Sequence, residues 1–168
     1  NLEIAEKNYL QAAELVENLV SAEPVIESDQ LLRLTILNNL AALYMSHGNA
    51  AAAISSFQKI LAAPKQGKPA LLPTVLAAHL NLSVLYRTAG NLSKAGSSLD
   101  EARKIIDQLR QAQFNSELIH GQELTWYISQ TNLDLTLGRW ESAQKTSKAG
   151  IQAAETLIAS HPGEVKYE

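Results

Sequence analysis

The sequence predicts an all-α chain, a solenoid of antiparallel helix pairs with about seven helices in 168 residues. Three observations predict it. Small residues that open a helix recur at Ala5, Ala53, Ala95 and Ala143, at intervals of 48, 42 and 48. Turn glycines recur at Gly48, Gly90 and Gly138, again 42 and 48 apart. No segment alternates apolar and polar residues over a useful length, so no sheet is expected. Matching intervals in two independent markers identify a repeat, and repeats of this period stack as solenoids.

The first helix, 2–21, sets Leu10, Leu15 and Leu19 with Ala12, Ala13 and Val16 on a face spaced by three and four. Pro24 closes it. Helices over 30–47 and 50–62 meet at Gly48-Asn49. Pro64-x-x-Gly67-x-Pro69 and Pro73 interrupt the pattern before helices over 73–89 and 92–112, which meet at Gly90-Asn91. Helices over 116–137 and 140–160 meet at Gly138, and His161-Pro162-Gly163 ends the last. A helix that stops and reverses within a few residues needs a left-handed residue after its last turn, which glycine supplies with least strain. Ala53 and Ala95 let the second helix of a pair approach the first, and Tyr44, Tyr86 and Phe57 fill the space between. Trp140 is expected to pack between helices, and His79 to be buried or partly buried. Of the adjacent Trp126 and Tyr127, one is expected to be exposed. Lys65-Gln66-Gly67-Lys68 reads as a solvated linker.

Residues 1–168 read as a single repeat domain. Residues 1–23 are the second helix of a truncated repeat, followed by helix pairs over 30–62, 73–112 and 116–160. Asn1-Leu2-x-x-Ala5-x-x-x-Tyr9-x-x-Ala12 has the pattern of a second helix whose mate is missing. A lone solenoid helix leaves an apolar face open. The expectation is a fragment of a longer repeat protein, or a face covered by another chain.

Composition removes several functions. The net charge is −3 and no run of Lys or Arg forms a stripe, so no nucleic-acid partner is expected. No apolar run approaches the roughly 20 residues of a membrane span, so no membrane insertion is expected. Glu3 and Glu6 interrupt any signal-peptide pattern, and the expected location is intracellular, cytoplasmic or nuclear. There is no cysteine, which excludes disulfides, thiol catalysis and Cys-ligated zinc. Glu117-x-x-His120 is a single Glu-x-x-His step, whereas di-iron bundles use two with two further carboxylates. Glu123 reads as one more polar surface residue. His47, His79 and His161 lack paired-ligand spacing. No Gly-x-Ser-x-Gly elbow and no phosphate loop occurs. The chain is expected to be no enzyme, with no metal and no cofactor.

The repeat resembles a known family. Leu40-Ala41-x-x-Tyr44-x-x-x-Gly48 is followed by Ala53-x-x-x-Phe57, Leu82-Ser83-x-x-Tyr86-x-x-x-Gly90 by Ala95-x-x-x-Leu99, and Gly138-x-Trp140-x-x-Ala143 repeats the second half. This is similar to the tetratricopeptide repeat, and Leu37 to Tyr44 looks like the 42-residue repeats of kinesin light chains. HEAT and armadillo units share the repeat length, but the glycine turn and Ala-x-x-x-Phe spacing fit the tetratricopeptide pattern. The third unit departs from it. Asp134 stands where the large aromatic would sit, and Gln130-Thr131 where Leu-Gly would be.

The resemblance implies that the solenoid is a right-handed superhelix, and that the chain is a protein–protein interaction scaffold whose first helices line a concave groove for a partner's helical or extended peptide. The candidates it implies are Thr35, Asn38, Asn39, Ala42, Met45, Leu80, Asn81, Val84, Arg87, Thr125, Ile128, Ser129 and Asn132, with Trp126 or Tyr127 as an exposed anchor. Asn39 and Asn81 share one repeat position. Their amides can pair with a peptide backbone, or they brace neighbouring helices. The positions with which chaperone-binding members grip a carboxylate are Asn38, Ala42, Asn81, Thr125 and Ser129 here, without a cation. A heat-shock chaperone C-terminal tail is therefore not an expected partner. The alternative is a structural segment of a multi-subunit assembly, contacting neighbours through its ends and convex face.

Overall fold

Three glycines with left-handed backbone set the punctuation of the chain: Gly48 at φ +71°, Gly90 at +76° and Gly138 at +70°. The computed structural model describes residues 2–20, 27–63, 68–114 and 116–160, and among these the chain is all-helical. It comprises α1 (Leu2–Val20), α2 (Glu27–Ser46), α3 (Ala50–Ala62), a short 3-10 turn (Pro69–Leu71), α4 (Leu72–Thr88), α5 (Leu92–Gln111), α6 (Ser116–Thr136) and α7 (Trp140–Ser160). The expected breakers Pro24, Pro64, Gly67 and His161-Pro162-Gly163 lie outside the described residues, as do Lys65-Gln66-Gly67.

Each glycine turn closes with the same backbone bonds. The residue after the glycine donates five positions back, Asn49 to Tyr44 at 2.9 Å, Asn91 to Tyr86 at 2.8 Å and Arg139 to Asp134 at 2.8 Å. Each glycine N–H donates three back, at 3.0–3.1 Å to Met45, Arg87 and Leu135. This pair of bonds is the Schellman arrangement, which satisfies the orphan carbonyls of a helix end. Asn49 and Asn91 then cap the next helix, accepting from Ala52 N at 3.1 Å and Lys94 N at 3.2 Å. Such a cap contributes about 1 kcal/mol.

The chain divides into two compact units, 1–82 and 83–168, and the division falls inside α4. In the first unit α1 packs on α2, and α2 on α3 across the turn 47–49. Leu34, Leu37, Leu40, Ala41, Ala53, Phe57 and Ile60 are buried there. Ala53 is fully buried, as a close helix approach requires. On α1 the half-buried stripe is Ala5, Tyr9 and Ala12, whereas Ile4, Leu10 and Leu15 are exposed. Lys68 is not simply a solvated linker residue, because it donates to the buried Gln30 side chain of α2. In the second unit α5 packs on α6 and α6 on α7, burying Ala95, Leu99, Ala102, Ile106, Leu109, Ile119, Leu133 and Ala143.

Two further expectations need correction. Pro69–Thr88 is, by length and composition, apolar enough to cross a membrane. Half of it is buried within the fold, with Leu71, Val75, Leu76, Leu80 and Leu82 each at most 4% exposed, which is how a core helix reads. Trp140 is not packed between helices but 68% exposed. It is the first residue of α7, ahead of the stripe that begins at Ala143, so its side chain leaves the interface.

Candidate functional site

Thr35, Asn39 and Ala42, spaced by four and three, form one exposed stripe along α2. Asn38 and Met45 lie beside it, half-buried. The Asn38 Oδ1 is buried without a hydrogen-bond donor among the described residues. On α4, Asn81, Val84 and Arg87 are half-buried. On α6, Thr125 is exposed, Ile128 is 63% exposed and Asn132 is half-buried.

Four candidates sit differently from the groove expectation. Leu80 is 4% exposed and belongs to the core, because α4 is apolar on more than one face. Ser129 is 7% exposed. It lies three residues after Trp126 and four before Leu133, both of which meet α5. Neither Trp126 nor Tyr127 is an exposed anchor; both are half-buried. Trp126 Nε1 donates to the Leu99 carbonyl at 2.9 Å, and its ring meets the Tyr127 ring edge-on at 5.2 Å. Tyr127 is held from the other side by α7, where a Cβ on Gly150 would stand 2.9 Å from the Tyr127 Cβ.

Around Trp126 is a cluster that local sequence pattern did not reveal. Glu123 is 2% exposed and accepts from Arg103 at 3.2 Å and from Arg110. Arg103 also pairs with Asp107 at 3.1 Å and lies 5.2 Å from the Trp126 ring centroid. Burial would lower the pKa of Arg103, but the charges of Asp107 and Glu123 with the Tyr127 hydroxyl outweigh it and hold it above its ordinary value. The signal available in sequence was the seven-residue spacing of Arg103 and Arg110, two turns apart on one face of α5. The cluster fixes α6 on α5. Among the described residues no group of three or more His, Asp or Glu is placed to hold a metal ion.

Between α6 and α7 is an apolar cleft of about 380 Å³, lined by Leu124, Tyr127, Ile128, Gly150, Ile151 and Ala154 among others. Of the groove candidates it gathers Tyr127, Ile128 and Asn132. A cleft with apolar side chains on both walls and few polar groups suits a hydrophobic anchor. No family model, no curated protein and no solved structure matches this chain.

Proposed function

We propose that this chain is a scaffold of tetratricopeptide type, with antiparallel helix pairs stacked as a right-handed solenoid, and that it binds a peptide segment of another protein. The observation that carries the reading is the recurrence of one turn, with the same bonds and the same positive-φ glycine, at Gly48, Gly90 and Gly138. The exposed stripe Thr35, Asn39 and Ala42 supports the binding role, because an amide between small residues can donate to and accept from a peptide backbone. The activity proposed is binding without chemistry.

A second reading is a structural segment of an assembly. The exposed Ile4, Leu10 and Leu15 of α1 and Ile151 and Ile158 of α7 favour it. Crosslinking mass spectrometry on the protein taken from cells separates the two. Crosslinks from α2, α4 and α6 to a short segment of one partner support the peptide scaffold. Crosslinks confined to α1 and α7 support the structural segment and remove the first reading.

A further inference from the structure

Four of the arginines in this chain have a side-chain partner. Arg103 and Arg110 hold Glu123, Arg139 lies 4.0 Å from Asp134, and Arg33 is engaged as well. Arg87 differs. It is half-buried in the last turn of α4, and among the described residues its side chain makes no hydrogen bond, ion pair or ring contact. A guanidinium keeps its charge at any ordinary pH and presents five N–H donors in a planar fork. Half-covered and unpaired, it has given up part of its water without gaining an acceptor. α4 has α1 to α3 before it and α5 to α7 after it, so this openness belongs to the interior of the chain.

The helix end does not need this side chain. A cation there complements the helix dipole, but the carbonyls of the turn are already served. The Thr88 hydroxyl lies 3.0 Å from both the Val84 and Leu85 oxygens, and Leu85 also accepts from Ala89 N. Tyr86 accepts from Asn91 N, and Arg87 from Gly90 N. Nor is an acid of α6 left over to pair with it. Glu117 is engaged, Glu123 is held by Arg103 and Arg110, and Asp134 accepts from Ser142. Arg87 is the only residue of α4 with a fixed charge, and the only one among the groove candidates. Val84, one turn earlier on the same face, is half-buried too.

We propose that Arg87 is the charge-selective contact of the scaffold, and that the bound peptide segment carries an Asp or Glu side chain which this guanidinium grips. Two parallel N–H···O bonds from the fork to one carboxylate give the contact its geometry as well as its strength. The other groove candidates are uncharged. A second charge buried on the segment would lose water and gain no partner, so the acid is flanked by uncharged residues. This rests on the peptide-binding reading and names the chemistry of its ligand.

The probe is a library of random dodecapeptides displayed on phage, selected in parallel on the 168-residue chain and on its Arg87→Gln variant. Peptides taken by the native chain should share an Asp or Glu at one position, and those taken by the variant should not. One such peptide, made with a fluorophore and an amidated C-terminus, is then titrated by anisotropy, so that only a side-chain carboxylate is offered. Arg87→Gln should weaken it at least about tenfold, as loss of a charge-assisted pair does. Tm should not fall, because the side chain has no partner in the fold. Replacing the peptide's acid by its amide should cost the same factor on the native chain and nothing further on the variant. Arg87→Lys, which keeps the charge but not the fork, should restore part of the affinity. If no peptide is selected on the native chain, the peptide-binding reading falls and this inference with it. Selected peptides without a shared acid, or with equal affinity for both chains, overturn this inference and leave the scaffold reading standing. A lowered Tm for Arg87→Gln also overturns it, because Arg87 would then be a structural residue.

Discussion

The Ser142 hydroxyl donates to the Asp134 carboxylate at 2.7 Å, and this pair stands at the repeat positions that Lys94 and Tyr86 hold one unit earlier. There the contact is a cation over a ring, with Lys94 Nζ 5.5 Å from the Tyr86 centroid. Asp134 is 1% exposed, and Arg139 Nη1 is 4.0 Å from its other oxygen. The carboxylate is tied to the first turn of α7, where the helix dipole favours negative charge. Ser142→Ala should therefore cost about 1–3 kcal/mol in urea unfolding, because a buried carboxylate loses a donor. Unchanged stability would show that the bond carries no weight.

The Glu123 cluster should respond asymmetrically. Removing both Arg103 and Arg110 strands a carboxylate that is 3% exposed, at about 3–5 kcal/mol. Glu123→Gln leaves arginines that are 32% and 48% exposed in their side chains and can return to water, so about 1 kcal/mol is expected. Equal losses in chemical denaturation would contradict the buried geometry.

Gly90 and Gly150 resist substitution for different reasons. A Cβ at Gly90 meets nothing within 4 Å, so Gly90→Val should lose its stability, about 2 kcal/mol or somewhat less, to left-handed backbone strain alone. Gly90→Asn should recover part of it. At Gly150 the obstacle is Tyr127, and Gly150→Ala should cost about 1–3 kcal/mol despite the better helix propensity of alanine. A stabilised Gly150→Ala variant would mean that α6 and α7 can separate freely.

Tyr44 should give the first unit an alkaline limb. Its pKa is raised, by burial first and then by the hydrogen bond and charge of Glu6. A raised folded-state pKa favours the protonated form on folding. The contribution is thus fully present below the ordinary tyrosine value of about 10 and is lost as pH rises through the folded value. Tyr44→Phe should remove this loss when Tm is tracked from about pH 8 to 11, and should cost about 0.5–1.5 kcal/mol at neutral pH. An alkaline limb that survives the substitution would assign it to other groups.

The helices were legible in the sequence because their ends are encoded locally. Gly48, Gly90 and Gly138 need positive φ, and Asn49 and Asn91 cap α3 and α5, so each boundary depends on a few adjacent residues. The α2 stripe was legible for the same reason, since counting back from a glycine fixes the helical phase. The side-chain surroundings were not. Glu123 looked like an ordinary surface carboxylate because its partners lie 13 and 20 positions earlier, on another helix. Trp140 is expected between helices from its place where the second helix of a pair begins, but as the first residue of α7 it turns outward. Ser129 shares a repeat position with the exposed Asn39, yet it is buried because Trp126 and Leu133 turn that face of α6 onto α5.

The three glycine turns are closed by backbone atoms, so the side chain four residues before each glycine has no duty in making the turn. What occupies the fourth position before the glycine can then change in kind, a phenol reaching a neighbouring helix at Tyr44, a ring under an ammonium at Tyr86, an acid clasped by a hydroxyl at Asp134. Such slots behave as interchangeable sockets whose contents must be swapped as matched couples. A designer could re-key one unit by moving Asp134 and Ser142 together into the places of Tyr86 and Lys94, leaving the hinge of the chain untouched.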